Sequence, residues 1–192
     1  MRVLIVLPRF VGRPGQYYLL PVGLLYISAA LKRAGFAVTC LNLNHEATPP
    51  EELMPRIIRQ HQIDLVLTGG LSAHYHAVRQ VLDAARMAGP RVMTMIGGGL
   101  LSSEPELIRN ALRPDIGVIG EGEDTVVEVV HALAQGGPLE NVAGLIYWEA
   151  PGRLRQTPAR PAIRDLDRIP FPDYEGFGVE QYLDLQLPNT ER

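Results

Sequence analysis

The chain has 192 residues, of which 46% are hydrophobic and 20% are charged, and its formal net charge is -3. This is the composition of one ordinary globular domain, so a disordered protein is excluded, and the charge leaves no basic surface for nucleic acid. The longest apolar run, residues 19–31, contains Pro21 and Gly23 and is too short and interrupted for a membrane span. We therefore expect a cytoplasmic protein with neither a nucleic-acid partner nor a membrane span.

Residues 2–7 are a run of Val, Leu and Ile without polar alternation, which is typical of a strand buried on both faces of a parallel sheet. The loop that follows, residues 9–20, is longer than most loops after such strands, and a long loop is commonly functional. A periodic apolar face then predicts a helix over residues 22–34. The next strand, residues 36–43, holds the single cysteine, Cys40, which predicts a small buried side chain and leaves no metal site of cysteines.

The same alternation of strand and helix continues to residue 134. Capping boxes at Thr48–Glu51 and Ser103–Glu106 predict two of the helix starts. The predicted strands occupy residues 2–7, 36–43, 64–68, 91–96 and 115–119. The predicted helices occupy residues 22–34, 51–60, 74–87, 104–112 and 123–134. Five alternations indicate an α/β fold with a Rossmann-like, doubly wound, five-stranded parallel sheet in the order 2-1-3-4-5.

Two further strands, residues 143–148 and 154–157, are predicted as a β-hairpin appended to the sheet. The α/β domain is expected to occupy residues 1–158. Residues 159–192 are rich in Pro, Asp and Arg with a few apolar side chains between them. They predict an extended C-terminal arm or linker that packs on something else.

Glycines stand where several of the predicted strands end. They are Gly69, Gly70, Gly97, Gly98, Gly99, Gly120 and Gly122. Ligands of open α/β sheets bind outside the carboxyl ends of the strands, and glycine lets a large ligand approach the backbone there. The alternative interpretation is that these are ordinary turn residues.

Several familiar sites do not match this edge. The segment after the first strand, residues 8–12, is not the G-x-G-x-x-G of a dinucleotide site, and Glu121 with its acidic neighbours would repel a pyrophosphate. No P-loop lysine is present, and Ser72 is not in a G-x-S-x-G turn. His74 and His76 are two residues apart, so on one helix they face different ways and do not form a metal pair.

Four segments and their order resemble a known family. They are Pro21–Ile27, Leu31–Gly35, Ile96–Gly99 and Val118–Glu123. Together they are similar to the cobalamin (vitamin B12)-binding N-terminal domain of cobalamin-dependent radical SAM enzymes. Residues 166–174 are similar to the linker that joins this domain to the radical SAM barrel in that family. The resemblance covers nearly the whole chain.

The resemblance implies cobalamin as the cofactor, held for methyl transfer or a related radical reaction in a parent methyltransferase or cyclase. It implies S-adenosylmethionine and a 4Fe-4S cluster only for the parent enzyme or a partner, because this chain lacks the C-x-x-x-C-x-x-C motif. The implied partner is a radical SAM barrel, as a further domain or a separate subunit. No catalytic residue of the chain's own is expected, since the chemistry belongs to the cofactor.

The resemblance also implies roles for side chains and glycines at the strand ends. Ser72, with Gly97 and Gly98, would meet the nucleotide tail of the cofactor. The ring would lie near the side chains of Tyr17, Tyr18, His74 and Tyr75. Glu121 would accept a hydrogen bond from a corrin amide or cap its own helix. The remaining glycines of the edge, Gly69, Gly70, Gly99, Gly120 and Gly122, would give access.

Two departures from the family keep alternatives open. The D-x-H-x-x-G motif, whose histidine ligates cobalt in other cobalamin domains, is absent, so the axial position is unassigned and His74 is the one candidate. The bulky Leu100 and Leu101 after the glycines suit a degenerate domain that no longer binds cobalamin and serves as a substrate-docking or partner-binding module. A small nucleotide- or sugar-binding domain is the third hypothesis. We expect Gly98→Val to block the tail without unfolding the domain.

Overall fold

The computed structural model describes residues 1–150 and 152–185. The strands are β1 (Arg2–Leu7), β2 (Ala37–Asn42), β3 (Leu65–Gly69), β4 (Met93–Gly97), β5 (Ile116–Val118), β6 (Leu145–Ala150) and β7 (Arg153–Gln156). The α-helices are α1 (Val22–Arg33), α2 (Pro50–His61), α3 (Tyr75–Met87), α4 (Gly99–Ser103), α5 (Pro105–Leu112), α6 (Glu123–Gln135) and α7 (Val179–Leu183). Within those ranges no helix combines the length and apolar character needed to cross a membrane.

The sheet runs in the order β2-β1-β3-β4-β5-β6-β7. The order and parallel pairing predicted for β1 to β5 are confirmed. The predicted total of five strands is wrong, because the hairpin continues the same sheet: β6 pairs antiparallel with β5, and β7 with β6. A physical reason is that a short β5 at the edge would expose unpaired backbone, which the hairpin covers.

Strand β1 shows how the sheet is covered on both faces, since all its apolar side chains are fully buried. Val3, Ile5 and Leu7 pack in a cluster that includes residues of α1 and α6. Leu4 and Val6 face the other way and pack against α2 and α3. The prediction from the uninterrupted apolar run is therefore confirmed: β1 is a parallel strand buried between two layers of helices.

Both predicted capping boxes are wrong. Helix α2 begins after Pro49, and the side chain of Thr48 does not cap it. At the second box the predicted helix is present as α5, which begins after Glu104 without a side-chain cap. Ser103 is the last residue of the short helix α4, which begins directly after Gly98, whose positive φ of 85° turns the chain from strand into helix. Ser103 consequently donates its hydroxyl to the carbonyl oxygen of Leu100 within α4, at 3.1 Å, and does not cap α5.

The arm, residues 159–185 in the described part of the chain, packs along the domain itself over α1 and α6. Ile163 and Phe177 are buried, and Phe177 is only 1% exposed within the cluster that holds β1 and α1. Phe171, between two prolines, is 92% exposed. The sequence instead predicts a segment that packs on something else, because its apolar residues are too sparse to show which of them turn inward.

Asp173 holds the middle of the arm, and we call its contacts with Ser28 and Lys32 the Asp173 latch. Its Oδ2 accepts a hydrogen bond from the Ser28 hydroxyl at 2.5 Å and lies 2.6 Å from the Lys32 ammonium. Its backbone N–H donates to the Leu25 carbonyl at 3.1 Å. Burial alone would raise the pKa of Asp173, but the hydrogen bonds from Lys32 and Ser28 outweigh it and lower the pKa below its ordinary value.

The burial of the arm predicts unequal effects of two substitutions. Phe177→Ala removes a fully buried ring, so we expect the free energy of unfolding to fall by about 3–5 kcal/mol. Phe171→Ala is the matched control and should change it by less than about 0.5 kcal/mol, because the ring is in solvent. Urea unfolding followed by circular dichroism measures both, and equal effects would contradict the packing of the arm.

Candidate functional site

A cavity of about 450 Å³ opens at the carboxyl edge of the sheet, between the ends of β3, β4 and β5 and the start of α1. Its floor is apolar. The floor side chains are Leu24, Ile27, Leu67, Met95, Val118 and Val126. This is the edge at which open α/β sheets bind ligands, and the volume lies within the range of ordinary small-molecule sites.

Two neighbouring strands end in glycine at this edge, and their backbones touch. A Cβ built on Gly69 would lie 2.5 Å from the carbonyl oxygen of Gly97. A Cβ on Gly98 would lie 2.9 Å from the carbonyl oxygen of Gly70, at a φ that side chains rarely adopt. Part of the glycine pattern is therefore required by the close approach of two loops, and the same approach leaves bare backbone on the cavity wall.

Most residues that the sequence assigns to the site lie in this wall. The assigned residues in the lining are Gly69, Gly70, His74, Gly97, Gly98, Gly99, Gly120, Glu121 and Gly122. Ser72 and Tyr17 are outside it: Ser72 is exposed, and the ring of Tyr17 packs against Tyr182 with their centroids 6.0 Å apart. Tyr18 and Tyr75 are also outside the lining.

His74 stands at the wall beside Phe10, with ring centroids 4.0 Å apart. Its Nδ1 accepts a hydrogen bond from the Leu71 backbone N–H at 3.2 Å. Burial lowers the pKa of His74, so the ring is neutral near pH 7 and, with Nδ1 as acceptor, carries its proton on Nε2. In this tautomer Nε2 is a hydrogen-bond donor and has no lone pair for a metal.

Glu121 lies in the loop after β5, where its carboxylate accepts a hydrogen bond from the backbone N–H of Ile163 at 2.6 Å. Helix α6 begins after Gly122 without a side-chain cap, so the predicted capping role of Glu121 is wrong. One carboxylate oxygen is thus engaged by the arm. Over the ranges 1–150 and 152–185, no group of three His, Cys, Asp or Glu side chains is arranged to hold a metal ion.

A buried polar network that the sequence pattern does not predict fixes the loop after β1. The amide nitrogen of Asn42 donates to the hydroxyl of Tyr18 at 2.8 Å and to the carbonyl of Phe177 at 3.1 Å. The Tyr18 hydroxyl also lies 3.1 Å from Nε2 of His45. Burial raises the pKa of Tyr18. The sequence feature that could have indicated this network is Asn42, a polar residue at the carboxyl end of β2.

A family model described as the B12 binding domain matches residues 8–130 of the chain. An uncharacterized methyltransferase from Pyrococcus horikoshii is 32% identical over 191 residues, which are 95% of this chain and 40% of that protein. The anaerobic magnesium-protoporphyrin IX monomethyl ester cyclase from Rubrivivax gelatinosus is 27% identical over 177 residues, 90% of this chain and 31% of the cyclase. The chain thus spans less than half the length of these relatives.

The fold has close counterparts among solved structures. The radical S-adenosylmethionine methyltransferase TsrM from Kitasatospora setae, with cobalamin and a [4Fe-4S] cluster bound, superposes with a TM-score of 0.72 at 20% identity. The match covers 88% of this chain and 31% of TsrM. At this identity the likeness establishes the shared fold.

The glycine contacts indicate that Gly98→Val would also destabilise the domain, which complicates it as a binding test, and they define a cleaner comparison. Gly98 and Gly35 both have a φ of +85°, but a Cβ on Gly35 meets nothing within 4 Å. Alanine at either position should lower the free energy of unfolding by about 1–2 kcal/mol through backbone strain. Alanine at Gly98 should cost about 1–3 kcal/mol more, because it must push Gly70 away. Equal urea midpoints for the two variants would show that the two loops are not in contact.

Proposed function

The chain belongs to the B12-binding domain family, and on that premise we propose that the cavity at the carboxyl edge of the sheet holds cobalamin. The observation that carries the proposal is the combination of an apolar floor with a wall of bare glycine backbone. The domain would hold and orient the cofactor for methyl transfer or a related radical reaction. When bound, cobalamin supplies the reactive organometallic centre, and the chain holds that centre in position.

The residues present fit the cofactor. Cobalamin is mostly neutral, with amide arms around its ring and an aromatic base on a nucleotide tail. The cavity is smaller than the whole molecule, so the base would enter over the floor side chains, such as Ile27 and Met95, while the ring stays at the mouth. Gly97 and Gly120 would let the tail and the ring approach the main chain. We expect Ser72, which lies outside the lining, and Glu121, which is bound by the arm, to contribute less contact with the cofactor than the sequence predicts.

Nothing in the geometry favours the degenerate-domain alternative. Leu100 and Leu101, whose bulk motivates it, are fully buried in α4 and pack with Val78 and Leu82 on the other side of the sheet edge. They take no part in the lining of the cavity. Their size therefore does not reduce the space for a cofactor.

The parent activity is part of the proposal, because the chain spans only a fraction of its relatives. We propose that it works with a radical SAM barrel, which would bind S-adenosylmethionine and the 4Fe-4S cluster and would contribute the substrate contacts. Residues 1–158 would form the cobalamin unit, and residues 159–192 would lead toward the barrel. Residues 186–192 of this segment lie outside the described residues.

Cobalamin binding is tested at Gly23, which lines the cavity at the start of α1 and whose built Cβ meets nothing within 4 Å. Gly23→Leu should lower the affinity for cyanocobalamin at least about tenfold by occupying the cavity, without loss of stability, because leucine favours helix. Gly23→Ala is the matched control and should bind like the wild type. Equilibrium dialysis gives the affinities. Wild-type protein that retains no corrin would refute the proposed function.

His74 should not ligate cobalt, because its hydrogen bond with Leu71 leaves the proton on Nε2. The test is the electron paramagnetic resonance spectrum of bound cob(II)alamin in protein labelled with ¹⁵N-histidine. We expect the same nitrogen hyperfine pattern as in unlabelled protein. A label-dependent pattern that disappears in His74→Gln would show that this side chain is the axial ligand.

A further inference from the structure

We propose that docking of the arm and occupancy of the cavity are energetically coupled, with Asp173 and Tyr182 as positioning residues for the cofactor. The inference rests on the proposed function, because the occupant of the cavity is taken to be cobalamin. It goes beyond that function, since neither residue lines the cavity. The coupling follows from where the arm makes its contacts.

The arm contacts three elements that border the cavity, two through hydrogen bonds or an ion pair and one through ring packing. Ile163 donates to Glu121 in the loop after β5. The Asp173 latch holds α1, the helix that contributes Leu24 and Ile27 to the floor. The arm thus acts on the wall and the floor from outside, through the residues to which it is bonded.

The third contact is with the loop after β1. The ring of Tyr182 packs edge-on against Tyr18, with centroids 5.1 Å apart. Tyr18 is in turn bonded to Asn42, which also binds the Phe177 carbonyl. The next residue in the loop, Leu19, is exposed and lies at the cavity lining. Undocking of the arm would remove the Tyr182 ring and the Phe177 carbonyl from the contacts that hold this loop.

The Asp173 latch ties the docked arm to the present position of α1. The Asp173 side chain is 11% exposed, and its Oδ2 has close donors in Ser28 and Lys32. Removing the arm returns three polar groups to water and frees the backbone carbonyl of Leu25. A ligand that needs α1 in its present position therefore shifts the equilibrium toward the docked arm. By linkage, docking of the arm raises the affinity for the ligand by the same factor.

Cys40 provides a native reporter of docking, since it is the only cysteine. Its Sγ lies 3.2 Å from the Ser28 hydroxyl and 3.4 Å from Asp173 Oδ2, beneath the arm. Burial raises the pKa of the Cys40 thiol to about 12, so alkylation of the docked form is slow. Undocking exposes the thiol and restores its reactivity.

The experiment measures two quantities for each protein: the affinity for cyanocobalamin and the rate of Cys40 alkylation by iodoacetamide, followed by mass spectrometry. Asp173→Asn and Tyr182→Ala should each weaken cyanocobalamin binding by about tenfold and accelerate alkylation. Tyr182→Ala makes the result independent of any direct effect of Asp173 on the thiol. Asp83→Asn removes an exposed ion pair with Arg86 on α3, away from the arm, and should change neither quantity.

Saturating cyanocobalamin should slow alkylation of the wild-type protein, and the slowing should match the factor by which the arm variants lose affinity. If both variants bind cyanocobalamin as tightly as the wild type, the coupling is refuted and the proposed function is unaffected. The same holds for binding that leaves the alkylation rate unchanged. Absence of binding by the wild type overturns the proposed function and the coupling together.

Discussion

The candidate site depends on the contact between two strand ends. Gly69 of β3 and Gly97 of β4 are register partners, and no side chain fits between their backbones and those of the following residues. Because the two loops are in contact, α4 starts immediately after Gly98 and carries its leucines into the core. The cavity is consequently walled by main chain on this side and by apolar side chains below.

The second constraint is that the floor belongs to a helix held by the arm. Helix α1 is largely apolar, and without further contacts it could shift along the sheet because apolar packing is not directional. The Asp173 latch is directional, since two donors converge on one oxygen. It fixes the height of α1 at the edge where Leu24 and Ile27 meet the cavity. In the proposed coupling, a polar contact outside the cavity lining thereby positions side chains of the apolar floor.

The sequence was sufficient for the order of β1 to β5, which follows from periodicity, and glycine at strand ends directed the site prediction to the sheet edge where the cavity lies. It was insufficient where one pattern has two structural outcomes. Ser103 and Glu106 have capping-box spacing, but the turn at Gly98 starts a short helix that ends at Ser103, so Ser103 does not cap α5. Phe171 and Phe177 look alike in sequence, and long-range contacts, such as those of Asp173 with Ser28 and of Asn42 with the Phe177 carbonyl, determine which of them is buried.

The electrostatics of the wall point to recognition by shape. His74 is neutral and its Nδ1 is bonded to Leu71, while an oxygen of Glu121 is bonded to Ile163. Apart from the carboxylate of Glu123, the lining therefore presents little charge to a ligand at this edge, and its other groups include backbone amides and the Nε2 donor of His74. A largely neutral cofactor that carries amides around an extended ring needs such a surface, because an unpaired charge in the wall would have to be desolvated without compensation. The same reasoning explains why glycines, which contribute only main chain, are the main sequence feature that predicts the site.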